Sequence, residues 1–166
     1  TVVRGLDELW RRRLVREQEP GWYDFSHDRI REVAYHEIRP AQRRLLHKRV
    51  AQALVTLHAN NLDEIHGQLG YHYEQALQFE DAVIAYHRAA DQAEALYAFE
   101  RVLFYLERML TLLEKLPTTA ASMQQQIKGW LKTADTLIIV KGWTTSERKQ
   151  ALDRAYELSL IHISEP

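Results

Sequence analysis

The sequence predicts a predominantly all-α fold, in which one β-hairpin near the start is followed by a linking helix and then by an array of helical hairpins. Three observations carry this. Apolar residues recur every three or four positions through much of the chain, as in Leu6, Leu9, Trp10 and Leu14, or in Leu45, Leu46, Val50, Leu54 and Leu57. Two β-favouring runs, Leu14-Val15-Arg16-Glu17 and Trp22-Tyr23-Asp24-Phe25, flank a Pro-Gly turn at Glu19-Pro20-Gly21. Beyond residue 61, small and large residues alternate at helical spacing, as closely paired helices require. With 166 residues and 46% hydrophobic content, the chain can bury a core.

The first helix is expected over residues 2–13, with Leu6, Leu9 and Trp10 on one face. After the hairpin a second helix is expected over 28–38, stopped by Pro40, which disfavours helix at the residue before it. Pro40 can itself open the next helix, because a first-turn position needs no N–H. The stripe from Leu45 to Leu57 is that helix's expected apolar face. Asn60-Asn61 reads as its stop. The charge balance changes at the same place: residues 1–60 hold 12 Lys/Arg against 8 Asp/Glu, and the remainder 10 against 15. The expected organisation is therefore 1–39, a linking helix over 40–60, and a helical array over 61–157.

Five helices are expected in the array, at about 62–77, 80–96, 99–116, 119–140 and 144–158, with Gly142-Trp143 breaking the pattern before the last. Leu69-Gly70-x2-Tyr73 and then Phe79-x2-Ala82-x3-Tyr86-x2-Ala89 resemble the tetratricopeptide (TPR) consensus at seven positions. Gly70, Ala82 and Ala89 would let paired helices approach, while Leu69, Tyr73, Phe79 and Tyr86 fill the remaining volume. His66 stands where the consensus has Trp, and no Pro closes the unit, so the repeat is degenerate. Val102-x3-Leu106-x2-Met109 echoes the second-helix pattern 20 residues later, and Ala151, Leu152 and Ala155 do so weakly again. A TPR-like α-solenoid of this kind needs about three repeats for stability, so the parent chain is expected to continue further.

Helix, hairpin and helix in that order resemble the second half of a winged helix. Residues 23–35, read as YDFSHDRIREVAY, resemble the closing element of the winged-helix domain in STAND-type regulatory ATPases. These include plant NLR immune receptors, the apoptotic-protease activating factor and large bacterial transcriptional activators. In the immune receptors the matching triplet is Met-His-Asp, whose histidine touches the β-phosphate of bound ADP. Here Ser26 replaces the methionine, while His27 and Asp28 match. The stretches Phe25-Ser26-His27-Asp28 and Leu45-Leu46-His47-Lys48-Arg49 carry most of the likeness to the join between ATPase module and repeats in bacterial regulators. The resemblance implies a non-catalytic regulatory region of a STAND-like ATPase, with ATP/ADP bound upstream in cis rather than in these residues. It also implies a protein partner or inducer on the TPR-like surface, a transcriptional-regulator role and a cytoplasmic location.

The residues themselves exclude several chemistries. Among only 6 glycines none forms GxxxxGK[ST], so no phosphate-binding loop is present, and no Cys and no Gly-x-Ser-x-Gly offers a nucleophile. No catalytic residues are assigned, and this region is not expected to be an enzyme. The 8 histidines lack metal-site spacing: His36-Glu37 is followed by Ile-Arg-Pro, and His66 and His72 fall on different helix faces, so no metal is assigned. Zero cysteines are compatible with a reducing compartment, and no apolar run approaches the roughly 18 residues of a membrane helix. The alternative to the regulatory reading is a DNA-binding winged helix fused to a TPR module, with Arg11, Arg12, Arg13, Arg16, Arg43, Arg44, Lys48 and Arg49 as its footprint. Against direct nucleic-acid binding, the first helix carries Asp7 and Glu8 ahead of its arginines, which instead complement the helix dipole.

His27 has two readings at this stage. It is a helix-start residue packed by the hairpin, with Ser26 or Asp28 as N-cap, or it is the phosphate contact that the resemblance implies. The ends are read separately. Thr1 begins inside a helical pattern, so the piece is expected to be internal to a longer protein. Residues 158–166, LSLIHISEP, resemble the translation of a common transposon-type sequencing adapter and are expected to be a non-native tail.

Overall fold

The computed structural model describes residues 2–19, 22–59 and 61–164. Among them are eight α-helices and one two-stranded antiparallel hairpin, a predominantly α-helical fold as the apolar periodicity predicts. The chain divides into two compact units, residues 1–43 and 44–166.

In the first unit α1 (Val2–Arg11) leads into β1 (Val15–Glu19), β2 (Trp22–Phe25) and α2 (Asp28–Glu37). The strands pair Val15 with Phe25, Arg16 with Asp24 and Glu17 with Tyr23, and the register shifts between Glu17 and Glu19. Pro20 and Gly21, the expected turn, lie outside the described residues. Among the described residues of this unit Val15 is buried, whereas Trp10 and Val33 remain largely exposed.

The helix α3 (Pro40–Leu57) starts at the proline as expected, but its apolar stripe is not its buried face. Leu45, Leu46, Val50 and Leu57 are exposed, and the residues that bury are His47 and Ala51, with Leu54 and Val55 partly covered. The physical reason lies at Ala51. A small side chain, fully enclosed, packs there with Ile65, Leu69 and Ala85, so close approach rather than hydrophobicity selects the inward face.

A short 3-10 turn (Leu62–Ile65) opens the array of α4 (His66–Gln75), α5 (Phe79–Ala95), α6 (Phe99–Leu113), α7 (Ala120–Lys141) and α8 (Ser146–Ser164), each packed on the next. Its core joins Ala82, Tyr86, Ala89, Val102, Leu106 and Met109, with Tyr73 and Phe79 against it, so these five pattern positions share one cluster, whereas Leu69 packs with Ala51 and Ile65 instead. A Cβ on Gly70 would lie 2.6 Å from Cδ1 of Tyr86: this glycine makes room for a ring rather than for a neighbouring backbone. Gly129 does the same on α7, where a Cβ would meet Cε of Met109 at 2.8 Å. The start of α7 carries a capping box, in which Thr119 Oγ1 accepts from the Ser122 N–H at 3.1 Å and Ser122 Oγ accepts from the Thr119 N–H at 2.8 Å. Gly142, at φ 94°, ends it.

Polar groups brace this core. Tyr86 Oη donates to Glu74 Oε2 at 2.9 Å, Arg108 Nε donates to the same oxygen at 3.2 Å, and Arg108 Nη2 pairs with Oε1. Burial, and then the hydrogen bond to Glu74, push the Tyr86 phenol well above its ordinary pKa. On the other side of the array, Lys132 bridges Asp91 at 2.6 Å and Glu94 at 2.8 Å, tying α7 to α5.

Candidate functional site

The sequence singles out His27, and the hairpin determines how it is presented. Ser26 is not a helix cap: its Oγ donates to the carbonyls of Arg13 (2.6 Å) and Leu14 (3.1 Å), and its N–H donates to Leu14 at 2.9 Å. Those bonds leave Ser26 no part in starting α2. Asp28 is not the cap either, since it lies in the first helical turn and pairs with Arg31 at 3.0 Å. His27 itself takes the N-cap position in extended conformation, at φ −143° and ψ 137°. Its carbonyl accepts from the Ile30 and Arg31 N–H groups at 3.0 and 3.3 Å. The imidazole is exposed and makes no capping hydrogen bond. A ring so placed can donate an N–H to an anion beside the partly positive start of a helix.

The histidines of the array do other work. Nδ1 of His47 on α3 and Nδ1 of His72 on α4 lie 2.9 Å apart, so one ring donates and the other accepts. Tyr71 sets its ring edge-on to both. Burial, then the neighbouring His47, lower the His72 pKa. His66 is buried, with Nδ1 3.6 Å from an Asp63 carboxylate oxygen, and burial followed by the Arg88 charge lowers its pKa despite Asp63. Among the described residues, no group of three or more His, Cys, Asp or Glu side chains could hold a metal ion. The His47–His72 pair spans 25 residues, and no local spacing in the sequence signals it.

A groove of about 700 Å³ lies between α6, α7 and α8, which sequence reading missed. Leu103, Leu110, Trp130, Leu137 and Ala151 form its apolar part. Its charged lining comes from Glu107 on α6 and Glu114 at its C-cap, from Lys141 at the end of α7, and from α8 (Glu147, Asp153, Arg154, Glu157). Lys141 pairs with Glu147 at 2.7 Å and holds that carboxyl down to about 2, with its own N–H and Ser146 assisting. Arg154 pairs with Glu157 at 3.3 Å. Glu107, Glu114 and Asp153 have no ion-pair partner among the described residues. The helical period could have shown half of this: Glu107 and Glu114 are seven apart, hence on one face, but the opposing wall is set by packing.

A second, smaller hollow of about 460 Å³ lies in the first unit, lined by Trp10, Arg11, Arg13, Val15, Arg16 and Ser26. No helix among the described residues is long and apolar enough to cross a membrane. Comparison with family models, with curated proteins and with solved structures returns no match for this chain.

Proposed function

We propose that this chain is a non-catalytic regulatory and protein-interaction region of a STAND-like signalling ATPase, a cytoplasmic transcriptional regulator of the bacterial type. In this reading the array presents its surface to a protein partner or inducer. His27 meets the β-phosphate of ADP held by an ATPase module upstream in cis. The observation that carries the reading is the presentation of His27: an accessible imidazole at the start of α2, placed by a hairpin that Ser26 ties to the end of α1. A histidine serving only to start the helix would be expected to hydrogen-bond the first turn through its ring or to pack against the hairpin.

The test is His27→Ala in the full-length parent. Loss of one hydrogen bond to a charged group should weaken ADP retention by roughly 1–3 kcal/mol. A shift of that size multiplies a minor active population about five-fold or more, so signalling should no longer need the inducer. Unchanged ADP affinity in a stably folded variant refutes the role.

The hollow ringed by Arg11, Arg13 and Arg16 beside Trp10 favours a second reading, DNA binding by the first unit. Titration with random duplex across a salt series separates the two, because phosphate contacts give a steep fall of affinity with salt. A flat, weak response leaves the regulatory reading.

A further inference from the structure

We propose that the groove between α6, α7 and α8 docks a basic amphipathic helical segment of a protein partner; this rests on the reading of the array as an interaction surface. The groove offers two things together. Its apolar part can bury the side chains of one helix face, and a volume of about 700 Å³ suits several such side chains rather than a whole domain. Its rim is acidic, and the acids are only partly neutralised from within. Lys141 and Arg154 are engaged by Glu147 and Glu157, leaving Glu107, Glu114 and Asp153 facing the groove without a paired cation among the described residues.

The positions of those carboxylates describe the partner. Glu107 on α6 and Glu114 at its C-cap are seven residues, about two turns or 10.5 Å of rise, apart, and Asp153 stands on the α8 wall. A helix carrying Lys or Arg at i and i+7 along one flank, with Leu-like residues at i+3 and i+4, matches both the charge and the apolar part. The same carboxylates repel nucleic acid. A partner's basic residues would steer its approach and fix its register, while the apolar contacts supply most of the affinity.

The experiment is fluorescence anisotropy of a labelled Leu/Lys amphipathic peptide titrated with the 166-residue chain. Saturable binding is expected, weakening strongly as NaCl rises from about 50 to 500 mM. The triple variant Glu107→Gln, Glu114→Gln, Asp153→Asn should bind about ten-fold or more weakly. A control triple at exposed acids outside the groove, Glu64→Gln, Glu80→Gln, Glu100→Gln, should bind as the parent does. All six positions are exposed, so circular dichroism should show each variant folded.

Undiminished affinity in the groove variant, or an equal loss in the control, overturns the proposal. A Leu/Glu peptide of the same apolar pattern should not bind. If it binds as well as the basic peptide, the charge selectivity is overturned while the array stands as a docking surface. If neither peptide binds, the proposal that this groove docks such a helix is overturned, whereas the interaction reading, which does not depend on this groove, is not.

Discussion

Ala82 is fully enclosed in the core that also holds Tyr86, Ala89 and Val102. Ala82→Leu should therefore overpack the interface and cost on the order of 1–3 kcal/mol, read as a lowered urea midpoint. A neutral result would mean that these helices are not held at repeat-like distance. The histidines give a second residue-scale expectation. Burial lowers the folded-state pKa of both His72 and His66, whereas in the unfolded chain they titrate near 6.5. Above that value both states are neutral and the two histidines contribute nothing to the pH dependence. As pH falls below it, the unfolded chain takes up protons first, so stability declines and the loss levels off beneath the folded-state values. Urea unfolding between pH 7.5 and 5.5 should show this fall, and His72→Phe should flatten it. A profile unchanged by that substitution would show that the His47–His72 contact does not govern it.

At the scale of the elements, three connections share one geometry. Arg13, Leu77 and Tyr97 each adopt left-handed backbone, at φ 57°, 60° and 57°. In each the following N–H reaches back five residues: Leu14 to Leu9, Gln78 to Tyr73 and Ala98 to Ala93, at 2.8–2.9 Å. These are Schellman closures without glycine. Helix ends are sought in a sequence by Gly or Pro, so ends closed without either are easily set too far along: α1 and α4 stop two residues before their expected ends at 13 and 77, and α5 one residue before 96. Tyr97 is 80% exposed, so its side chain gives little burial in return for the strained backbone. Tyr97→Gly should stabilise the chain by up to ~1 kcal/mol, since relief of left-handed strain exceeds glycine's added chain entropy. A lowered denaturation midpoint would instead credit the ring contact between Tyr97 and Phe99.

Across the whole molecule, what was legible followed from periodicity and from size. The order of helices, the hairpin and the Ala82–Tyr86–Ala89 packing could all be read from short-range pattern. The inward face of α3 could not, because an alanine and a histidine outrank four larger apolar residues once close approach decides. His27 was legible as a position, whereas the groove, being built by three helices, was not. The tail gives a further expectation. The helix α8 continues to Ser164, yet Leu160 and Ile161 are about half exposed; the side chain of Ile163 lies outside what is described. Deleting residues 159–166 should leave the melting temperature unchanged or raised, and a clear drop would show that the tail belongs to the fold.

The Glu74 carboxylate has a consequence for how the second unit comes apart. In stacked hairpins each helix normally leans on its immediate neighbours, so opening begins at an end and proceeds one helix at a time. Glu74 couples α4 directly to α6 across 34 residues while also accepting from Tyr86 on α5. Release of the first helix therefore leaves a buried phenol and a guanidinium on the next two without their acceptor. Amide exchange through α4, α5 and α6 should accordingly report one shared opening event, a latch that lets go all at once, rather than a gradient of fraying from the end.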